Sequence, residues 1–168
     1  MAIAIEKETS QQLNKKAAKS TFQKFLTFKL GEECYGITVL YIREIIQLQN
    51  ITPVPQMPDY VQGVINLRGK VIPVIDMRLK FCIGSAETNE RTCIIVVQVD
   101  AENQGTLLVG LIVDAVEEVT NISQAQIEER PEIGSQVDQH YIMGIAKVKS
   151  EVKTLLHIDR IILGDNCF

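Results

Sequence analysis

Few side chains in this sequence are of a type and spacing that could do covalent chemistry. There are two histidines, His140 and His157, and no tryptophan. His157 follows the apolar pair Leu155-Leu156, the position of a hydrogen-bonded strand-end residue, and His140 stands in a polar approach to a strand, where solvent is the usual partner. A Cys–His nucleophile needs thiol and imidazole to meet in the fold, and nothing local supports such a meeting. The cysteines Cys34, Cys82, Cys93 and Cys167 form no C-x-x-C pair and match no zinc spacing. Cys93 lies in an apolar run and reads as a small buried hydrophobe. Thiols of the cytoplasm stay reduced, so no structural disulfide is expected, and Cys82 and Cys167 are the candidates for an exposed reactive thiol. Adjacent carboxylates occur at Glu32-Glu33, Glu117-Glu118 and Glu128-Glu129; such pairs on turns and surfaces are solvated charge more often than acid–base machinery. No phosphate-cradling glycine loop, zinc-protease helix or nucleophile elbow occurs. The expectation is a protein with no catalytic residue, no metal and no cofactor.

One charged group is placed differently. Gly63-Val64-Ile65-Asn66-Leu67-Arg68-Gly69 sets an arginine between two strongly apolar runs. Most hairpin tips are simply solvated, but a guanidinium on a rigid tip engages carboxylates or carbonyls with little reordering. That is binding chemistry rather than catalysis.

The elements that must position it are short strands. Lys24 to Leu30 puts Leu26, Phe28 and Leu30 on one strand face, Gly31-Glu32-Glu33 turns, and Cys34 to Ile37 returns. Thr38 is placed to cap a short helix whose residues Ile42, Ile45 and Ile46 follow i, i+3, i+4 spacing. Three prolines in Thr52–Pro58 exclude helix and central strand. Val64–Leu67 and Val71–Ile75 form a hairpin around Arg68-Gly69-Lys70, with Pro73 marking an edge or a bulge. Residues 84–91 are a polar loop, and Cys93–Val99 is a strand covered on both faces that returns through Asn103-Gln104-Gly105 as Thr106–Val113. Tyr141–Val148 and Val152–Leu156 make a last hairpin, and Asp159–Leu163 closes with a helical turn. Many short strands without long helical periods imply an all-β barrel or sandwich.

Charge narrows the class of partner. Residues 1–21 carry four lysines and two glutamates, whereas the rest of the chain carries 13 basic and 19 acidic groups. An acidic barrel region with 5% aromatic residues disfavours the alternative of a small nucleic-acid-binding barrel, which needs a basic groove and exposed rings. No run of 18 apolar residues occurs, so no membrane insertion is expected; the first 21 residues lack a secretion signal's apolar core and read as a polar tail, with the cytoplasm the expected compartment.

An internal repeat sharpens the architecture. Gly36 aligns with Gly110, Val39 with Val113, Ile42 with Val116, Glu44 with Glu118 and Ile45 with Val119, each 74 residues apart. At an offset of 81, Gly63 aligns with Gly144, Leu67 with Val148, Arg68 with Lys149 and Val71 with Val152. Two similar β-subdomains divided near residues 84–91 follow from this.

The run Asp59-Tyr60-Val61-Gln62-Gly63-Val64-Ile65-Asn66-Leu67-Arg68-Gly69-Lys70-Val71-Ile72-Pro73-Val74-Ile75-Asp76-Met77-Arg78 resembles the signature of the CheW family of bacterial chemotaxis coupling proteins, with Met77 where leucine is commoner. Phe28–Ile37, Val109–Val119 and Leu155–Leu163 agree, so the resemblance spans about residues 22–165. It implies two SH3-like five-stranded β-barrel subdomains sharing a hydrophobic core with short helical segments, one over about 22–88 and the other about 89–165, with strands exchangeable at the ends. The implied protein is a non-catalytic adaptor, monomeric when isolated, cytoplasmic and recruited to membrane receptor arrays. Its implied partners are the cytoplasmic tip of chemoreceptors (methyl-accepting chemotaxis proteins) and the regulatory domain of the histidine kinase CheA. By resemblance, Ile42, Gly63, Val116 and Val119 would serve receptor binding, Glu44 and Ile45 kinase binding, and Asn66 and Arg68 the coupling of the two.

Overall fold

Apolar residues, many of them β-branched, recur through the chain from Phe22 onward, and in the computed structural model they build eleven strands among the described residues, 22–84, 87–129 and 138–164. The first half runs β1 (Phe22–Leu30), β2 (Glu33–Thr38), β3 (Ile42–Gln47), β4 (Val61–Leu67), β5 (Lys70–Asp76) and a one-turn helix α1 (Met77–Lys80). The second runs β6 (Cys93–Ala101), β7 (Gly105–Val113), β8 (Ala115–Ser123), β9 (Ile127–Glu128), β10 (Ile142–Val148), β11 (Glu151–Leu156) and α2 (Ile158–Leu163). Residues 1–21 and Cys167 lie outside the described residues.

The strands form two sheets with one plan. The five-stranded sheet has the order β3-β6-β7-β5-β4, and the six-stranded sheet the order β8-β1-β2-β11-β10-β9. Each takes its two antiparallel middle strands from one half of the chain and the rest from the other. The halves meet in two parallel pairings, Val74 opposite Gly110 and Leu155 opposite Gly36, positions that the repeat itself relates. The chain therefore repeats in sequence near residues 84–91, but the sheets do not divide there: β3 to β7 make one, and β1, β2 and β8 to β11 make the other. The six-stranded sheet exceeds the expected five by the two-residue β9.

The bulges obey the same repeat. Arg43 in β3 and Glu117 in β8 are skipped by their ladders, as are Gln62 in β4 and Met143 in β10. A bulge flips the alternation and sharpens the twist, so matched bulges curl both sheets alike. The main core lies between the sheets, where Leu26, Phe28, Leu30 and Tyr35 meet Ile75, Ile95, Val97 and Leu111, with Met77 and Ile158 from the helices. Each sheet also encloses a small core of its own: Phe25, Ile122, Val148 and Leu155 in one, Ile65, Ile72, Val74 and Ile94 in the other.

Two local expectations are corrected. Thr38 precedes a single 3-10 turn, Val39–Tyr41, without a side-chain cap bond, and Ile42, Ile45 and Ile46 belong to strand β3 rather than to a helix. Their β-branched side chains favour the extended backbone, and burial alternates along Ile42–Gln47 with period two. Pro73 lies in β5, an interior strand, yet pairing to β7 begins only at Val74, so its missing N–H falls where the strand has a neighbour on one side only.

Candidate functional site

The hairpin turn between β4 and β5 fixes the arginine singled out in the sequence. Asn66 Oδ1 accepts the Gly69 N–H at 2.8 Å, an Asx-type closure that rigidifies the tip. Arg68 takes φ +51° there, and its side chain crosses to β3, where Nη1 and Nη2 donate to the two Glu44 carboxylate oxygens at 2.7 and 2.6 Å. Because β3 and β4 are the two ends of the sheet order, this contact spans the far edges that the roll of the sheet brings together. The hydrogen bonds from Arg68 hold the Glu44 carboxyl below its ordinary value. The Arg68 side chain remains 74% exposed, so the pair is a presented surface rather than a buried lock.

The other sequence-selected residues divide between the two sheets. Ile45 follows Glu44 on β3 and is 46% exposed. Ile42 and Val116 sit on different sheets, both half-buried and both packed on the main core between the sheets. Val119, on β8, is 55% exposed. Gly63 is buried at the β4 bulge with φ +141°; a Cβ there would lie 2.0 Å from the Thr52 carbonyl oxygen. Thr52 N and O bond Val64 O and N at 2.9 Å, so Gly63 lets the proline-rich loop press onto β4. The structure thus joins Glu44, Ile45, Asn66 and Arg68 on the five-stranded sheet, and sets Val119 on the other.

The six-stranded sheet carries the counterpart. Lys149, at φ +51° on the β10–β11 tip, reaches Glu118 on β8 at 3.1 Å, as Arg68 reaches Glu44. Beside it lies a cluster that sequence reasoning missed: Lys153, 2% exposed, donates to Glu117 at 2.7 Å and Glu151 at 2.8 Å. Burial disfavours charge on Glu117, but the hydrogen bonds from Lys153 and Cys34 outweigh it and hold the carboxyl below its ordinary range. Burial likewise opposes charge on Lys153, and its two carboxylates more than restore it. Cys34 Sγ and the Glu117 and Glu151 oxygens lie within 4.8 Å of one another, but the Lys153 ammonium already serves as their cation. Burial and then the Glu117 hydrogen bond push the Cys34 thiol up, away from reactivity. The available signal was the repeat: at an offset of 81, Lys153 aligns with core Ile72.

Elsewhere the titratable groups are engaged structurally. Arg78 donates to Asp114, whose carboxylate also accepts the Gly31 N–H, so this pair ties α1 to the β1–β2 turn and the β7–β8 corner. Lys80 Nζ lies 4.0 Å from the Tyr60 ring centroid and 5.5 Å from that of Tyr141, residues again 81 apart. His157 is half-buried, and burial lowers its pKa; His140 is exposed. Cys34, Cys82 and Cys93 are free, with Cys82 exposed and Cys93 half-buried. Among the described residues no helix is long and apolar enough to cross a membrane.

Comparison with known proteins gives a consistent picture. A profile of the CheW-like domain matches residues 24–164. The chain is 33% identical over 153 residues to the chemotaxis protein CheW of Klebsiella aerogenes, covering 91% of this chain and 89% of that one. It is 35% identical over 141 residues to CheW of Helicobacter pylori, covering 84% and 82%. The crystal structure of the scaffolding protein TtCheW from Thermoanaerobacter tengcongensis superposes with a TM-score of 0.74 at 35% identity, over 84% of this chain and 88% of that one.

Proposed function

Because the chain belongs to the CheW family of chemotaxis proteins, we propose that it is a non-catalytic cytoplasmic adaptor that couples the cytoplasmic tips of chemoreceptors to the histidine kinase CheA. The match over residues 24–164 carries this reading. In it, Ile42, Val116 and Val119 offer apolar contact to the receptor, the first two half-buried and the third exposed. Gly63 acts through the backbone, holding the 52–58 loop in place rather than touching a partner. Glu44 and Ile45 face the kinase regulatory domain, and Asn66 and Arg68 link the two surfaces, because the turn that Asn66 closes is the one whose arginine grips Glu44. A surface ion pair adds little to stability, and the Arg68 side chain here is largely exposed, which is why this one suits recognition: a partner can compete for Arg68 without unfolding the hairpin.

The purified chain should be monomeric and should retain both a receptor-tip fragment and the CheA regulatory domain in a pull-down, separately and together. Retention of neither would remove the adaptor reading. Salt-sensitive retention on heparin with no protein partner would favour the nucleic-acid alternative.

A further inference from the structure

Between β3 and the start of β5 the five-stranded sheet has an open groove lined by Arg43, Lys70, Val71, Ile72, Gln98 and Leu108 among others. Its plan matches that of the Lys153 cluster residue by residue. Arg43, on the β3 bulge, corresponds to Glu117 on the β8 bulge, and Lys70, first in β5, corresponds to Glu151, first in β11. At the inner position between them, Ile72 stands where the other sheet has Lys153.

The charges are inverted, and only one site is complete. In the six-stranded sheet the two carboxylates converge on a cation that the chain itself provides. In the five-stranded sheet two cations line one groove over an apolar residue, and no carboxylate is among the lining side chains. The acids next to two of the lining residues are engaged: Glu44, which follows Arg43, is held by both terminal guanidinium nitrogens of Arg68, and Asp100 accepts from Thr106. Neither Arg43 nor Lys70 forms an ion pair among the described residues.

We propose that this groove receives an acidic side chain from a protein partner, so that Arg43 and Lys70 clamp a partner carboxylate in the place that Lys153 fills with opposite sign in the other sheet. Val71, 68% exposed, lies in the lining, and Ile45, 46% exposed, follows Arg43 by two positions on β3, so the partner surface is an apolar patch carrying one carboxylate. The apolar flanks and the chain's net charge of −4 favour protein over nucleic acid, which requires a basic stripe. The identity of the partner as the kinase rests on the function proposed above; the chemistry of the groove does not.

Two measurements separate these. In the first, the isotopically labelled full chain is titrated with millimolar acetyl-Val-Glu-Val-amide and followed by NMR, with acetyl-Val-Gln-Val-amide as control. Shifts at Arg43, Lys70 and Val71 for the acidic peptide alone, lost in Arg43→Gln/Lys70→Gln, are expected. Equal shifts for both peptides, or none, overturn the groove regardless of any kinase. In the second, the same double variant binds the CheA regulatory domain at least about tenfold more weakly at low salt, the difference shrinking toward 1 M salt where screening is strong. Its affinity for the receptor fragment stays within twofold and its melting temperature is unchanged. Kinase affinity within twofold of wild type overturns the assignment of the groove to that partner. Charge-dependent heparin binding that the double variant abolishes, with kinase binding intact, identifies a nucleic-acid groove instead and also overturns it.

Discussion

Replacing Lys153 by methionine keeps the length of a buried stem and removes only its charge. At 2.7 Å and an effective dielectric of about 20, its attraction to Glu117 is about 6 kcal/mol. Desolvating the two ions offsets several kcal/mol of that, leaving a net coupling of about 1–3 kcal/mol, in the range measured for residues in contact. Glu151 is 60% exposed, so its share is screened to below about 1 kcal/mol. Lys153→Met should therefore destabilise by about 2–3 kcal/mol, because it strands Glu117 with only Lys29, 3.6 Å away, as a counter-charge. Adding Glu117→Gln should recover most of that loss, since Ile72 at the equivalent position shows that an apolar residue fits this sheet plan. Urea unfolding of wild type, both singles and the double, with Glu151→Gln as control, completes the cycle; the slope with denaturant should not change. Strict additivity, or a Lys153→Met protein as stable as wild type, would show that Glu117 does not depend on the Lys153 charge.

Gly63→Ala should cost about 3 kcal/mol or more, since a Cβ would meet the Thr52 backbone at 2.0 Å, whereas Gly69→Ala, with open space around it, should cost only the about 1–2 kcal/mol of a left-handed backbone; equal melting temperatures for the two would contradict the close approach. Stability should decline slightly as pH falls below about 6.5, because burial lowers the pKa of His157 in the fold below its unfolded value, and more steeply below about 4.5, because Glu44 and Glu117 hold folded pKa values under their unfolded ones. Melting scans should show the first decline vanish in His157→Gln; a stability that rises from pH 6.5 to 5 would reverse the assigned signs. Val119→Ser should leave stability within about 0.5 kcal/mol, as an exposed position allows, while weakening capture by the receptor fragment; calorimetry beside pull-down distinguishes the two, and unchanged capture would count against Val119 as a contact.

Much of this fold was legible because its signals were local. Turns at Gly31, Arg68-Gly69 and Lys149-Ser150, and the apolar run Cys93–Val99, mark hairpins and a covered strand that the sheets contain. In β3 the isoleucines have helical spacing in the sequence but no common face in the fold, since Ile42 and Ile46 pack on different cores and Ile45 is exposed. The exchange of strands between halves was hidden for a different reason: the parallel pairings that define it join residues 36 and 119 positions apart, with no turn between them to announce the contact. At the site, Arg68 was visible as a charge on a rigid tip, and its grip on Glu44 was not, since it depends on the roll of the sheet. Lys153 reads as an ordinary surface lysine beside Val152 until the repeat places it over Ile72.

The proposed coupling of two partners through the surface around Arg68 can be tested in one reconstitution. The most direct test reconstitutes receptor fragments, CheA and the chain, and measures receptor-dependent kinase activity with wild type and Arg68→Ala, alongside their melting temperatures. Wild type should confer receptor control on the kinase, and Arg68→Ala should melt within a degree or two of wild type, the shift of a change within about 0.5 kcal/mol, while losing most of that control. Full coupling by Arg68→Ala, or a wild-type chain that leaves kinase activity independent of receptor, would contradict this proposal.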